Sequence, residues 1–341
     1  MMRPELLTAR SFLLVLLLLL PSRSWSQSSP EPGMVEAAKK ERALVWYTSI
    51  SLEYSKAIAE RFQRKYPFIK TEIIRSGTGP LLNKILNESR GGMHAWDVIS
   101  GSAEMYIPLM QRQLLAAYRS AESNRYEDDM KDNEGYWTAL YVNPYVLAFN
   151  TRLLKKEEVP KSYEDLLNVR WKGRKISIDT EDFALLSGLA NAWGTDRALA
   201  YFKKLAAQDP VPQRGHTMRV NLTASGEYPL VIAFGAIAER MAHKKAPIDW
   251  VPLEPVVVRV SPIYTGRKAP NPNAARLFID FALSQEGQEI IRDSSLIPAR
   301  ADVDPNPPRL MKGFKRVIER PESYIDMQKA VNLYQEIFKV R

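Results

Sequence analysis

The sequence predicts an α/β protein of two lobes joined by two crossing strands, with a ligand cleft between the lobes. Three observations predict it. Strand–helix–strand patterns recur on both sides of Trp137 to Asn150, an extended run longer than an ordinary strand of about five or six residues. A second extended run, Trp250 to Val260, brings the chain back. Several strands end in small polar residues ahead of a helix, which is where an open α/β sheet places its ligand site.

The first lobe opens with Ala43-Leu44-Val45-Trp46-Tyr47-Thr48, a short apolar segment of strand character. Ser49 or Ser51 offers an N-cap, and Leu52, Ala59, Phe62 and Tyr66 lie along a helix that Pro67 stops. Phe68 to Arg75, centred on Ile73-Ile74, is the next strand and completes a βαβ unit with a right-handed crossover. Gly77-Thr78-Gly79-Pro80 opens a helix from Leu81 to Arg90, and Trp96-Asp97-Val98-Ile99 is a strand ending at Ser100-Gly101-Ser102.

In the second lobe Lys175 to Asp179 reads as a strand, Phe183 to Trp193 and Asp196 to Ala207 as helices, and Val211 to Gln213 as a strand ending in Arg214-Gly215-His216. Met218 to Ser225 is helical, Pro229 to Phe234 extended and Ala236 to His243 helical. After the second crossing, Asn271-Pro272-Asn273 starts a helix through Phe278 and Ala282, and Ser284-Gln285-Glu286-Gly287 caps the next. Tyr324 to Val340 forms a last amphipathic helix. The expected divisions are residues 36–142 and 258–306 for the first lobe, 143–257 for the second, and 307–341 for a C-terminal helical segment.

At the N-terminus Arg3, Arg10, the apolar stretch Phe12 to Leu20 and the small residues Ser24 and Ser26 read as a signal peptide over residues 1–26, cleaved after Ser26. An apolar core of about nine residues is too short for a hydrocarbon layer roughly 30 Å thick. Residues 27–35, rich in Ser, Pro and Gln, read as a flexible lead-in, with order from near Glu36. The chain has no cysteine, which excludes disulfides, zinc-thiolate sites, thiol catalysis and a thioester lipid anchor. Its stability must come from a large apolar core, which a mature chain of about 315 residues can build.

Formal net charge is +9, or +7 once Arg3, Arg10, Arg23 and Glu5 leave with the leader. That basicity suits a solvated surface or anionic ligands, and no long run of like charges marks a nucleic-acid tail. Neither Gly-x-Ser-x-Gly nor His-Glu-x-x-His occurs, and Gly77-Thr78-Gly79 lacks the Lys-Ser/Thr ending of a P-loop. The expectation is a protein without catalytic residues, cofactor or metal site. An exported enzyme on the same fold is the alternative, with Asp179 and His216 as its potential acid–base pair.

The run Asn271-Pro272-Asn273-Ala274-Ala275-Arg276-Leu277-Phe278-Ile279-Asp280-Phe281-Ala282-Leu283-Ser284-Gln285-Glu286-Gly287-Gln288 resembles a segment of bacterial extracellular solute-binding proteins of the ferric-iron, thiamine and phosphonate importer group. Trp46-Tyr47-Thr48-Ser49 and Ala224-Ser225-Gly226-Glu227-Tyr228-Pro229 extend the resemblance in the same order. It implies the type II periplasmic binding protein fold, capture of a small-molecule or anionic ligand by lobe closure, and delivery to an ABC permease in the inner membrane. A periplasmic monomer with no nucleic-acid partner is expected. Ferric-binding members hold iron with an adjacent tyrosine pair in the helix-opening turn after the late strand. Here that turn reads Ala233-Phe234-Gly235-Ala236-Ile237, and the first crossing ends in Ala148-Phe149-Asn150. Phenylalanine offers Fe(III) no anionic oxygen, so ferric iron stays an alternative that needs a non-standard site.

Candidate ligand contacts follow from the strand ends. In the first lobe these are Thr48, Ser49, Ser76, Gly77, Thr78, Ser100, Gly101 and Ser102, whose hydroxyls and helix-terminal amides suit carboxylate, phosphate or phosphonate oxygens. The same residue types are ordinary caps and turn formers. Tyr141, Asn143 and Tyr145 alternate by two along the first crossing, which aims all three to one face. The second lobe offers Asp179, Thr180, Arg214, His216 and Arg219. A cleft arginine grips a carboxylate or phosphate bidentately, while His216 fits a ligand contact, a helix cap or an exposed position. His94 and His243 read as surface residues.

Overall fold

The computed structural model describes residues 32–340, so the expected signal peptide lies outside the described residues. The first run of elements is α1 (Pro32–Glu41), β1 (Ala43–Thr48), α2 (Leu52–Lys65), β2 (Lys70–Arg75), α3 (Thr78–Arg90), β3 (Val98–Ser100), α4 (Tyr106–Gln111), β4 (Leu115–Ala116) and β5 (Thr138–Asn150). The second is β6 (Ile176–Ile178), α5 (Phe183–Trp193), α6 (Thr195–Ala206), β7 (Val211–Pro212), α7 (His216–Ser225), β8 (Leu230–Phe234), α8 (Gly235–His243) and β9 (Ile248–Val251). The chain returns through β10 (Val256–Gly266), α9 (Pro272–Leu283), α10 (Gln285–Asp293), β11 (Ile297–Pro298), β12 (Arg316–Glu319) and α11 (Met327–Phe338).

Two sheets share one strand. The path runs β2-β1-β3-β10-β5 and continues β5-β8-β6-β7. The first half of β5 pairs antiparallel with β10, for example Asn143 with Arg259, and its second half pairs with β8, for example Tyr145 with Phe234. β1 lies parallel to β2 and β3, and β6 parallel to β7 and β8. These are the two α/β lobes and the crossing strands between them, with the crossings at β5 and at the entry to β10.

The sequence reasons for these elements are local. α2 turns Ile58, Ala59 and Phe62 to the core at helical spacing and ends at Tyr66, ahead of Pro67. α10 is capped by Ser284, whose Oγ accepts from the Gly287 amide at 3.2 Å. Phe278 of α9 is fully buried, 4.9 Å from the Trp46 ring and 5.1 Å from Phe62, so the motif at Asn271–Gln288 is a packing motif. One core cluster joins the first lobe to one face of β8, and a second fills the space under α5, α6 and α11.

Two expectations change. The lead-in expected through residue 35 contains α1 from Pro32. α1 packs along α9, and its last residue, Glu41, accepts hydrogen bonds from the Asn273 and Ala274 amides at 3.1 and 2.7 Å, capping α9. The C-terminal segment is not purely helical: β12 pairs parallel with β10 from Val256 to Arg259, and Tyr324 sits in a 3₁₀ turn, Pro321–Asp326, before α11 begins. That turn packs on α4, whereas α11 packs on α5 and α6. The chain therefore ties the lobes together a third time, between Asp326 and Met327.

Candidate ligand-binding cleft

A cavity of about 780 Å³ opens between the lobes where the strand ends converge. On the first-lobe side it meets Ser49, Ser102, Glu104 and the start of α3. α3 has Gly77 as its N-cap and no side-chain cap, and Pro80 has no amide hydrogen, so the Thr78 and Gly79 amides are the first-turn donors left without an acceptor among the described residues. Gly101 has φ +144°, and a Cβ there would lie 2.0 Å from the Ser49 Oγ; only glycine lets the β3 turn approach β1 this closely.

The floor comes from the crossing strands. Tyr141 and Asn143 of β5 stand beside Ser261 and Arg259 of β10 in register. Arg259 Nη2 donates to Ser102 Oγ at 3.0 Å and to Glu104 Oε1 at 2.7 Å, which fixes the guanidinium against the first lobe.

The second-lobe wall is a buried polar cluster. Asp179, just past β6, accepts from the Glu181 amide at 3.1 Å and the Gly215 amide at 2.8 Å, so its carboxylate caps the start of α7. Arg219, 0% exposed, donates to Asp179 Oδ2 at 3.1 Å, to the Ile232 carbonyl at 2.6 Å and to His216 Nδ1 at 2.8 Å. Asp182 accepts from the Tyr145 hydroxyl at 3.0 Å and faces His216 Nε2 at 3.3 Å. Burial alone would push the Asp182 carboxyl up, but His216, Arg219 and the Tyr145 hydroxyl outweigh it and hold the pKa below the ordinary carboxylate value. The His216 ring lies against Phe234, their centroids 3.8 Å apart and their planes tilted by 30°. α11 supplies the remaining side with Met327, Val331, Tyr334 and Gln335.

Among the sequence-predicted residues, Ser49, Gly77, Thr78, Ser102, Tyr141, Asn143, Asp179, Thr180, Arg214 and His216 line this cavity. The others stand behind it. Thr48 and Ser100 are buried with their hydroxyls 2.9 Å apart, and Ser100 also accepts from Trp46 Nε1, so they tie β1 to β3. Ser76 continues the sheet through its amide to the Thr48 carbonyl, and Gly101 serves the close turn. Tyr145 keeps the face expected of it but lies buried, supporting Asp182. Arg214 is on the lip, paired with Glu181 at 3.2 Å and largely exposed. Sequence reasoning missed Arg259 and Ser261, although they alternate by two along β10 as Tyr141 and Asn143 do along the first crossing. It also missed Asp182, and Glu104, Val331 and Gln335, for which only the tertiary fold provides a signal.

Asp179, Asp182 and His216 bring their ligand atoms within 4.8 Å of one another, a spacing that could hold a metal ion. Arg219 Nη2 occupies that position instead, as a resident cation. The cluster as it stands does not fit a metal.

Residues 96–315 match the family described as bacterial extracellular solute-binding protein. The chain is 26% identical over 268 residues to an uncharacterized protein of Haemophilus influenzae, covering 74% of this chain and 76% of that one. Its fold is similar to iron-bound HitA from Pseudomonas aeruginosa, with a TM-score of 0.76, 21% identity, and 86% and 99% of the two chains covered. It is also similar to the periplasmic binding protein AfuA from Actinobacillus pleuropneumoniae with exogenous fructose-6-phosphate bound, with a TM-score of 0.73, 25% identity, and 88% and 99% covered. Two α/β lobes around a polar cleft and a family match over most of the folded chain lead to one conclusion: the protein belongs to the bacterial extracellular solute-binding proteins, with the type II periplasmic binding fold.

Proposed function

We propose that the protein works in the periplasm, closing its lobes around a small polar or anionic solute and passing it to an ABC permease in the inner membrane. The observation that carries this reading is the convergence of Arg259, Ser49, Ser102 and the uncapped start of α3 on one side of the cavity. Such an array of donors suits carboxylate or phosphate oxygens. AfuA, whose structure holds a sugar phosphate, has the same fold and is consistent with it. No chemical step belongs to this reading, and a hinge at the crossing strands supplies the motion it needs.

Ferric iron is the weaker reading. The helix-opening turn after β8 presents Phe234 to the cavity, and the compact Asp179–Asp182–His216 group is already held by Arg219. A thermal-shift screen over carboxylates, phosphonates, sugars, thiamine and Fe(III), followed by small-angle scattering with each binder, tests the proposal. The expected result is a raised Tm and a more compact particle with an anionic solute. A tight binder that leaves the particle unchanged, or binding of Fe(III) alone, would overturn it.

A further inference from the structure

The two sides of the cleft differ in charge as well as in residue type. On the second-lobe wall Asp179 and Asp182 are both buried, and among the described residues Arg219 is the one guanidinium beside them, at 3.1 and 3.6 Å. A guanidinium only donates, so His216 Nδ1, 2.8 Å from Arg219 Nη2, must carry a lone pair, and the ring proton sits on Nε2 facing Asp182 Oδ1. Two carboxylates therefore share a single guanidinium. Asp182 Oδ2 is buried, accepts no hydrogen bond from any described residue, and belongs to a residue that lines the cavity. A buried carboxylate oxygen without a donor is costly.

Across the cleft the charges of Arg259 and Glu104 balance in an ion pair at 2.7 Å, and what is left over is hydrogen-bond donors. Arg259 uses Nη2 for Ser102 and Glu104, while its Nε and Nη1 donate to no described residue. The start of α3 adds the Thr78 and Gly79 amides and the positive end of a helix dipole. The exposed pair of Arg214 and Glu181 on the lip cancels itself.

We propose that the solute is a dipolar molecule, its acid group held at Arg259 and the start of α3 and its ammonium group held at Asp182 and Asp179. This rests on the reading of the cleft as a solute site and narrows the class of solute. An ammonium group does two things there that a hydroxyl does not do together: it donates to Asp182 Oδ2 and it neutralises the excess negative charge. The acid is a carboxylate or a phosphate monoester, since both present the oxygens that the Arg259 side recognises.

Calorimetry and thermal shift on the full mature chain test this with ω-amino acids from glycine to 5-aminopentanoate and with O-phosphoethanolamine. Each is compared with the acid that lacks the amine and with the corresponding hydroxy acid. At least one amino compound should bind at least about ten-fold more tightly than its deaminated acid. Asp182→Asn should weaken that amino compound by about ten-fold or more and leave the deaminated acid within roughly two-fold. Equal binding of the deaminated or hydroxy acid, unchanged binding in the variant, or no response to any amino compound would overturn the proposal. Should Asp182→Asn fail to fold by circular dichroism, the comparison of probes on the unaltered protein decides alone. Deaminated acids that bind and compact the particle would leave solute capture standing while this inference falls.

Discussion

Glu319 lies on β12 with no solvent exposure, and neither carboxyl oxygen has a hydrogen-bond partner among the described residues. Burial pushes its pKa up to about 8, against the opposing pulls of Tyr324 and of Arg259, its partner in register on β10. A carboxyl raised in this way holds its proton in the native state where the unfolded chain has lost it. Stability therefore falls as pH climbs from about 4.5 to about 8, and flattens above. Glu319→Gln should flatten that slope, gaining roughly 1–3 kcal/mol at pH 8.5 and little at pH 5, as read by urea denaturation; parallel pH curves for the two proteins would refute it. Kept neutral, Glu319 also leaves Arg259 to Glu104 and the cleft. Little of this is legible in the sequence, because Arg316-Val317-Ile318-Glu319-Arg320 is a short charged segment with two apolar residues and no clear period, and only the pairing with β10 buries its acid. Ser49, Ser102, Tyr141 and Asn143 were legible for the opposite reason, since strand ends and period-two alternation fix direction without tertiary knowledge.

At the scale of elements, α9 is the strongest case of a helix placed by its own sequence. Its apolar face buries Leu277, Phe278 and Phe281, with Phe278 against Trp46 and Phe62. Phe278→Ala should cost about 3–5 kcal/mol in denaturant unfolding and leave ligand affinity near its starting value, because the residue lies away from the cleft. Ser284→Ala, which removes the α10 cap, should cost about 1 kcal/mol in the same assay. Both elements were readable from periodicity and capping. α1 was not, because Pro-Gly at its start and the Ser-Pro-rich stretch before it mask a helix whose stability comes from α9 and the Glu41 contacts. β12 is four residues long and depends on β10 for its existence. Short elements made by long-range pairing leave too faint a local pattern to find.

Across the whole molecule the lobes are linked at β5, at the entry to β10, and again between the 3₁₀ turn at Pro321–Asp326 and α11. α11 carries Tyr334 and Phe338 into the second core cluster and lines the cleft with Val331 and Gln335. A chain ended after Asp326 should lose several kcal/mol of stability, on the scale of about 2–5 kcal/mol for each large buried side chain removed, and bind its solute more weakly. The measurements are a urea titration and calorimetry with whichever solute the screen identifies; unchanged affinity in a folded truncated chain would show that α11 only braces the second lobe.

The position of β10 also governs when the protein can become a protein. This strand sits between β3 and β5 in the first sheet, yet it is made after every strand of the second lobe. A growing chain that has reached only β9 holds a first lobe with its middle missing, and β3 and β5 each present an unpaired edge. Folding cannot finish from the N-terminal end as synthesis proceeds. The first sheet can close only once the chain has been made through Gly266.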